Sequence, residues 1–135
     1  MSLFRIFDIS GSALHAQSVR MNTTASNMAN MDSISSSINQ TYRARNPVFA
    51  AQLDEAEEGI AGVSVLGIVE SDKPLQQEYR PDHPLANADG FVNLPNVNPV
   101  EEMANMISAS RAYQANVEVL NTSKQMMMRT LALGE

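Results

Sequence analysis

The sequence predicts an α+β chain, with long N- and C-terminal helices paired in a coiled-coil-like unit and a small β-rich middle. Three observations predict it. All nine methionines lie in the outer thirds. Five of the six prolines (Pro47, Pro74, Pro81, Pro84 and Pro95) lie between them, and Pro99 stands at the border. Proline breaks helices and methionine favours them. The third observation is charge. Residues 1–31 carry only Arg5, Asp8 and Arg20, residues 32–98 carry four basic and ten acidic side chains, and residues 99–135 carry three and four. The net charge of −6 therefore sits in the middle. The expected divisions are an N-terminal helix within 1–31, a β and loop region over 32–98, and a C-terminal helix within 99–135.

The first helix is expected over residues 3–30. Phe7, Leu14, Met21 and Met28 recur every seven residues. Four positions beyond the first three stand Gly11, Ser18 and Ala25, all small, which would let a second helix approach closely. Gly11 costs roughly 1 kcal/mol against alanine inside a helix, so tertiary contact is expected to compensate. Ser33–Ser37 reads as a flexible link.

Strands are expected at residues 42–49 and 62–69, which are rich in β-branched and aromatic side chains, and at 76–80. The acidic stretch 54–59 reads as the turn between the first two. Asp89-Gly90 reads as a turn before Phe91-Val92.

The last helix has the clearest start. Asn98 is a cap residue, Pro99 suits the first helical position, and Glu101 is placed to reach back toward the cap. No proline or glycine follows until Gly134. One heptad register puts Met103, Met106, Ser110, Tyr113, Val117, Leu120, Lys124, Met127 and Leu131 at a and d, a stripe expected to face a partner helix. The flanking e and g positions include Ile107, Ala109, Asn116, Ser123 and Met128, and none of the eight is charged. The c positions Ala112, Val119, Met126 and Leu133 form a second apolar seam. A two-helix hairpin buries one seam per helix, and exposed apolar surface costs about 25 cal/mol per Å². The expectation is lateral packing against helices of other subunits.

Several function classes fall away. A protein that coats nucleic acid needs a basic face, which this chain lacks. Without cysteine there are no disulfides, thiolate metal sites or cysteine nucleophiles. No run of about 18 apolar residues exists to cross a bilayer. The amphipathic helices lack the lysine-rich face of a membrane-surface helix. The first residues do not read as a cleavable secretory signal, so export would use another route. No cofactor is expected. His15 reads as a helix surface residue. Asp82, His83 and Asp89 are the one set that a small metal-dependent enzyme would draw on, but Pro81 and Pro84 point to a rigid loop. Gly59, Gly62 and Gly67 match no phosphate-binding fingerprint. The Met126–Met128 run reads as adaptable packing.

Two motifs carry a resemblance. Ser10, Ser12-Ala13-Leu14, Ala16-Gln17, Arg20-Met21 and Asn27-Met28-Ala29-Asn30 resemble the N-terminal motif of the flagellar rod and hook axial proteins. Glu102-Met103 and Ala109-Ser110-Arg111-Ala112-Tyr113-Gln114-Ala115-Asn116 resemble their C-terminal motif. The stretch from Tyr79 to Ala86, with Gly90-Phe91-Val92 and Pro95-Asn96-Val97-Asn98, is similar to a short subunit of the proximal rod. The resemblance implies that the terminal helices pair as an inner unit and pack side by side around a hollow tube, with the middle outermost. It implies copies of the chain and other rod subunits as partners, and passage through the flagellar type III export apparatus. The positions expected to pack against other subunits are Phe7, Leu14, Met21, Met28, Met103, Met106, Ile107, Tyr113, Val117, Val119, Leu120, Met126, Met127 and Leu131. Catalysis is not implied.

Overall fold

In the computed structural model, residues 3–54 and 59–133 are described. Helix α1 spans Leu3–Ala29 and helix α2 spans Pro99–Ala132. Between them run β1 (Arg45–Asp54), β2 (Gly59–Glu70), β3 (Gln76–Tyr79) and β4 (Phe91–Leu94). β1 and β2 form an antiparallel hairpin, and β3 and β4 form a separate antiparallel pair. The α+β class is as the sequence predicts.

The hairpin is longer than the sequence suggests. β1 starts at Arg45 rather than Tyr42 and continues to Asp54. Two irregularities in register, at Val48/Phe49 and Gln52/Leu53, bend it. Part of the acidic stretch 54–59, residues 55–58, lies outside the described residues. The serine-rich segment is not a free link. Ser35 exchanges two backbone hydrogen bonds with Asn93, which adds it to the β4 edge, and a short 3-10 helix follows at Ile38–Gln40.

Asn98 caps α2 as expected, its side chain accepting from the N–H groups of Val100 and Glu101. Glu101 departs from the expectation. Its carboxylate lies 3.6 Å from Lys73 Nζ, both groups half in solvent. An exposed pair of this kind contributes little.

The apolar core is small. Among the described residues its buried members are Ala16, Ala44, Val92, Pro95, Val97 and Ala109. Ser10, Thr23, Thr24, Asn27, Thr41, Asn93, Asn96, Glu102 and Ser123 are buried beside them. Large apolar side chains meanwhile stand in solvent on both the hairpin and α2. Apolar burial is the main favourable term in folding, so a chain arranged this way leaves much of it unused.

Candidate assembly surface

Asparagines join the helices to the middle. Asn27 is only 1% exposed. Its Oδ1 accepts from the Arg45 N–H at 2.9 Å and from the Tyr42 hydroxyl at 2.9 Å, and its Nδ2 donates to the Arg45 carbonyl at 2.8 Å. Asn96 does the same one residue away. Its Oδ1 accepts from the Ala44 N–H at 2.7 Å, and its Nδ2 donates to the carbonyls of Lys73 at 2.7 Å and Ser71 at 3.2 Å. The end of α1 and the segment leading into α2 are thus held against adjacent residues at the entry to β1. Burial raises the Tyr42 hydroxyl above its ordinary range, the Arg45 charge opposes this, and Glu102 and Glu70 add to the rise.

A third tie lies along α1. Ser12 Oγ donates to the Ile9 carbonyl at 2.8 Å and accepts from the Val63 N–H at 3.1 Å. The next strand residue, Gly62, comes so close that an added Cβ would lie 2.5 Å from Ser12 Oγ.

With their linked ends side by side, α1 and α2 run antiparallel. Arg20 Nη2 donates to Asn105 Oδ1 at 3.1 Å and fixes their level. From there α1 extends about 17 residues to Leu3 and α2 about 27 to Ala132, so α2 overhangs by roughly 15 Å at 1.5 Å per residue.

The covered strip of α2 corrects the sequence register. Glu102, Met106, Ala109, Tyr113, Asn116, Leu120, Ser123 and Met127 are buried or half-buried. The d positions face inward as expected, but the other half of the seam is g, not a. Ala109 and Ser123 permit close approach. Asn116 donates to the Ala112 carbonyl and Ser123 to the Val119 carbonyl, so each satisfies its polar group on its own helix. The a positions Met103, Val117 and Leu131 turn outward with Ile107, Val119, Met126, Met128 and Leu133. On α1 the expected large positions Phe7, Leu14, Met21 and Met28 are half-buried. The small positions do not behave as expected. Gly11 and Ala25 are exposed, and nothing lies within 4 Å of where a Gly11 Cβ would be. Among the described residues, therefore, no side-chain contact at Gly11 offsets its helix cost.

The remaining motif residues divide. Ala16 is buried; Gln17, Asn30 and Ser110 are half-buried; Ala29 and Arg111 are exposed. Gln17 Oε1 is buried and accepts no hydrogen bond among the described residues. Ser12, Tyr42 and Asn96 join the ties although no sequence argument gave them that role.

His15 is exposed on α1. His83 Nδ1 accepts from the Leu85 N–H at 3.1 Å, inside a loop tied by Arg80 N–H to the Gly90 carbonyl and by Asn87 Oδ1 to the N–H groups of Asp89 and Phe91. Gly90, at φ +82°, lies under the Tyr79 ring, where a Cβ would come within 2.8 Å of it. Among the described residues, Asp82, His83 and Asp89 form no group of three able to hold a metal. No described helix is long and apolar enough to cross a membrane.

Comparison with known proteins places this architecture. Residues 7–33 match the family model "Flagella basal body rod protein", and residues 88–133 match "Flagellar basal body rod FlgEFG protein C-terminal". The flagellar basal-body rod protein FlgC of Salmonella typhimurium strain LT2 is 53% identical over 136 residues, covering 100% of both chains. The chain belongs to the FlgC family. FlgC of Yersinia enterocolitica is 52% identical, and FlgC of Buchnera aphidicola from Acyrthosiphon pisum is 46% identical, again over 100% of each chain. This FlgC-family chain is a structural subunit of the flagellar basal-body rod.

Proposed function

We propose that the outward faces of α1 and α2 pack against copies of this chain and against other rod subunits in the wall of a hollow tube. In this reading the subunit lies in the proximal part of the rod, with the helices inside and the middle outside. The observation that carries it is the outward apolar face of α2 beside a small, largely polar core. Torque is transmitted because shear between neighbours meets many steric and apolar contacts along long helices. No bond is made or broken in that role, so it requires no catalytic residue. The chain reaches the rod through the flagellar export apparatus. The small core supports this, since a weakly self-sufficient fold is opened readily for passage.

Val117→Asp tests the reading. It places a charge on the outward face and leaves the seam alone. The variant is expected to keep the circular dichroism of the parent, to be exported, and to fail in rod assembly. Normal rods carrying it would overturn the proposal.

A further inference from the structure

We propose that oxidation of Met103, Met126 and Met128, three exposed thioethers spread along and around α2, controls whether the uncovered surface of that helix accepts a neighbour. This rests on the assembly reading above. The chain has no cysteine, so thioethers are its most readily oxidised sulfur groups. The described methionines fall into two sets. Met21, Met28, Met31, Met106 and Met127 are half-buried. Met103, Met126 and Met128 are 47%, 56% and 60% exposed. The latter two flank Met127 near the C-terminal end of α2.

The reaction needs a hydroperoxide, hydrogen peroxide being the simplest. The thioether sulfur attacks one peroxide oxygen, the O–O bond breaks, and an S–O bond forms. The second oxygen takes up the proton and leaves as water. Sulfur is oxidised by two electrons and the peroxide reduced by two. A dithiol-dependent sulfoxide reductase reverses the change, forming a disulfide and water.

The physical effect is selective. A sulfoxide puts a strongly polar oxygen on a face that must be buried against apolar neighbours, and burying it without a donor is unfavourable. The seam to α1 uses Met106, which is better covered, and Met127 is half-buried, so the helix pair survives. Three adjacent methionines thus contribute differently. Met127 is half-buried and slower to react, and Met126 and Met128 report the oxidation state at the surface.

The test treats the full-length purified chain with dilute hydrogen peroxide and maps oxygen addition by peptide mass spectrometry. Met103, Met126 and Met128 are expected to oxidise at least about fivefold faster than Met106 and Met127. The oxidised chain is expected to need about tenfold more protein to form sedimenting polymer, with unchanged circular dichroism. The triple variant Met103→Leu, Met126→Leu, Met128→Leu, treated identically, is expected to assemble as before treatment. Equal oxidation rates at Met106, or unimpaired assembly of the oxidised parent, would overturn the proposal. So would loss of assembly in the treated triple variant. If untreated Val117→Asp polymerises normally, or the untreated parent forms no polymer, it is the assembly reading that fails, and the order of oxidation still reports on the site itself.

Discussion

The side chain of Asn27 pairs with the backbone of Arg45 as a neighbouring strand would, accepting from its N–H at 2.9 Å and donating to its carbonyl at 2.8 Å. A helix residue thereby satisfies both main-chain groups at the start of β1. The Tyr42 hydroxyl takes a further lone pair of the same oxygen.

Asn27→Ala would leave the Arg45 N–H and carbonyl, and the Tyr42 hydroxyl, without these partners. The expected loss is about 3 kcal/mol, because deserted buried polar groups cost more than a hydrogen bond contributes. Urea unfolding checks it. A loss under about 0.5 kcal/mol would show that the clamp is not a main support.

Tyr42 makes the fold sensitive to alkali. Its hydroxyl is held above the ordinary 10.0, mainly by burial. A raised acid contributes stability that is fully present below the unfolded value and is lost as pH rises through the folded one. Stability is therefore expected to hold through neutral pH and to fall above about pH 10. Tyr42→Phe should start lower, for want of the bond to Asn27, and should lose less over that alkaline range. Parallel pH curves for the two proteins would contradict this.

Two glycines should respond oppositely to the same substitution. A Cβ at Gly62 meets Ser12 Oγ, so Gly62→Ala should break the tie to Val63 and cost about 1–3 kcal/mol. A Cβ at Gly11 meets nothing, so Gly11→Ala should stabilise the free chain by about 1 kcal/mol. Thermal melts of both variants give the signs directly.

Leu120 and Val117 lie three residues apart and should separate folding from assembly. Leu120 is on the half-buried strip, and Val117 turns outward. Leu120→Asp should weaken the helix pair by about 3 kcal/mol, because it places a charge in a mostly covered seam. Val117→Asp should cost clearly less, about 1 kcal/mol, because Val117 lies at the margin of the covered strip. Equal destabilisation by both would mean that the register is wrong.

The sequence by itself determined the helices, their lengths, the Asn98 cap and the surplus of apolar surface on α2. These rest on local rules: proline placement, cap chemistry and a sustained heptad of side chains. Only the tertiary structure decided which seam closes. Periodicity shows that Met103, Val117 and Leu131 share a stripe with the d positions, but it does not weigh that stripe against one built from Ala109, Asn116 and Ser123. The second stripe is the covered one because its side chains are small or bond back to their own helix, which permits close contact. The clamps at Asn27 and Asn96 were equally out of reach of periodicity. Each joins residues 18 to 52 apart in the chain, and a lone asparagine carries no local mark of the strand it will meet.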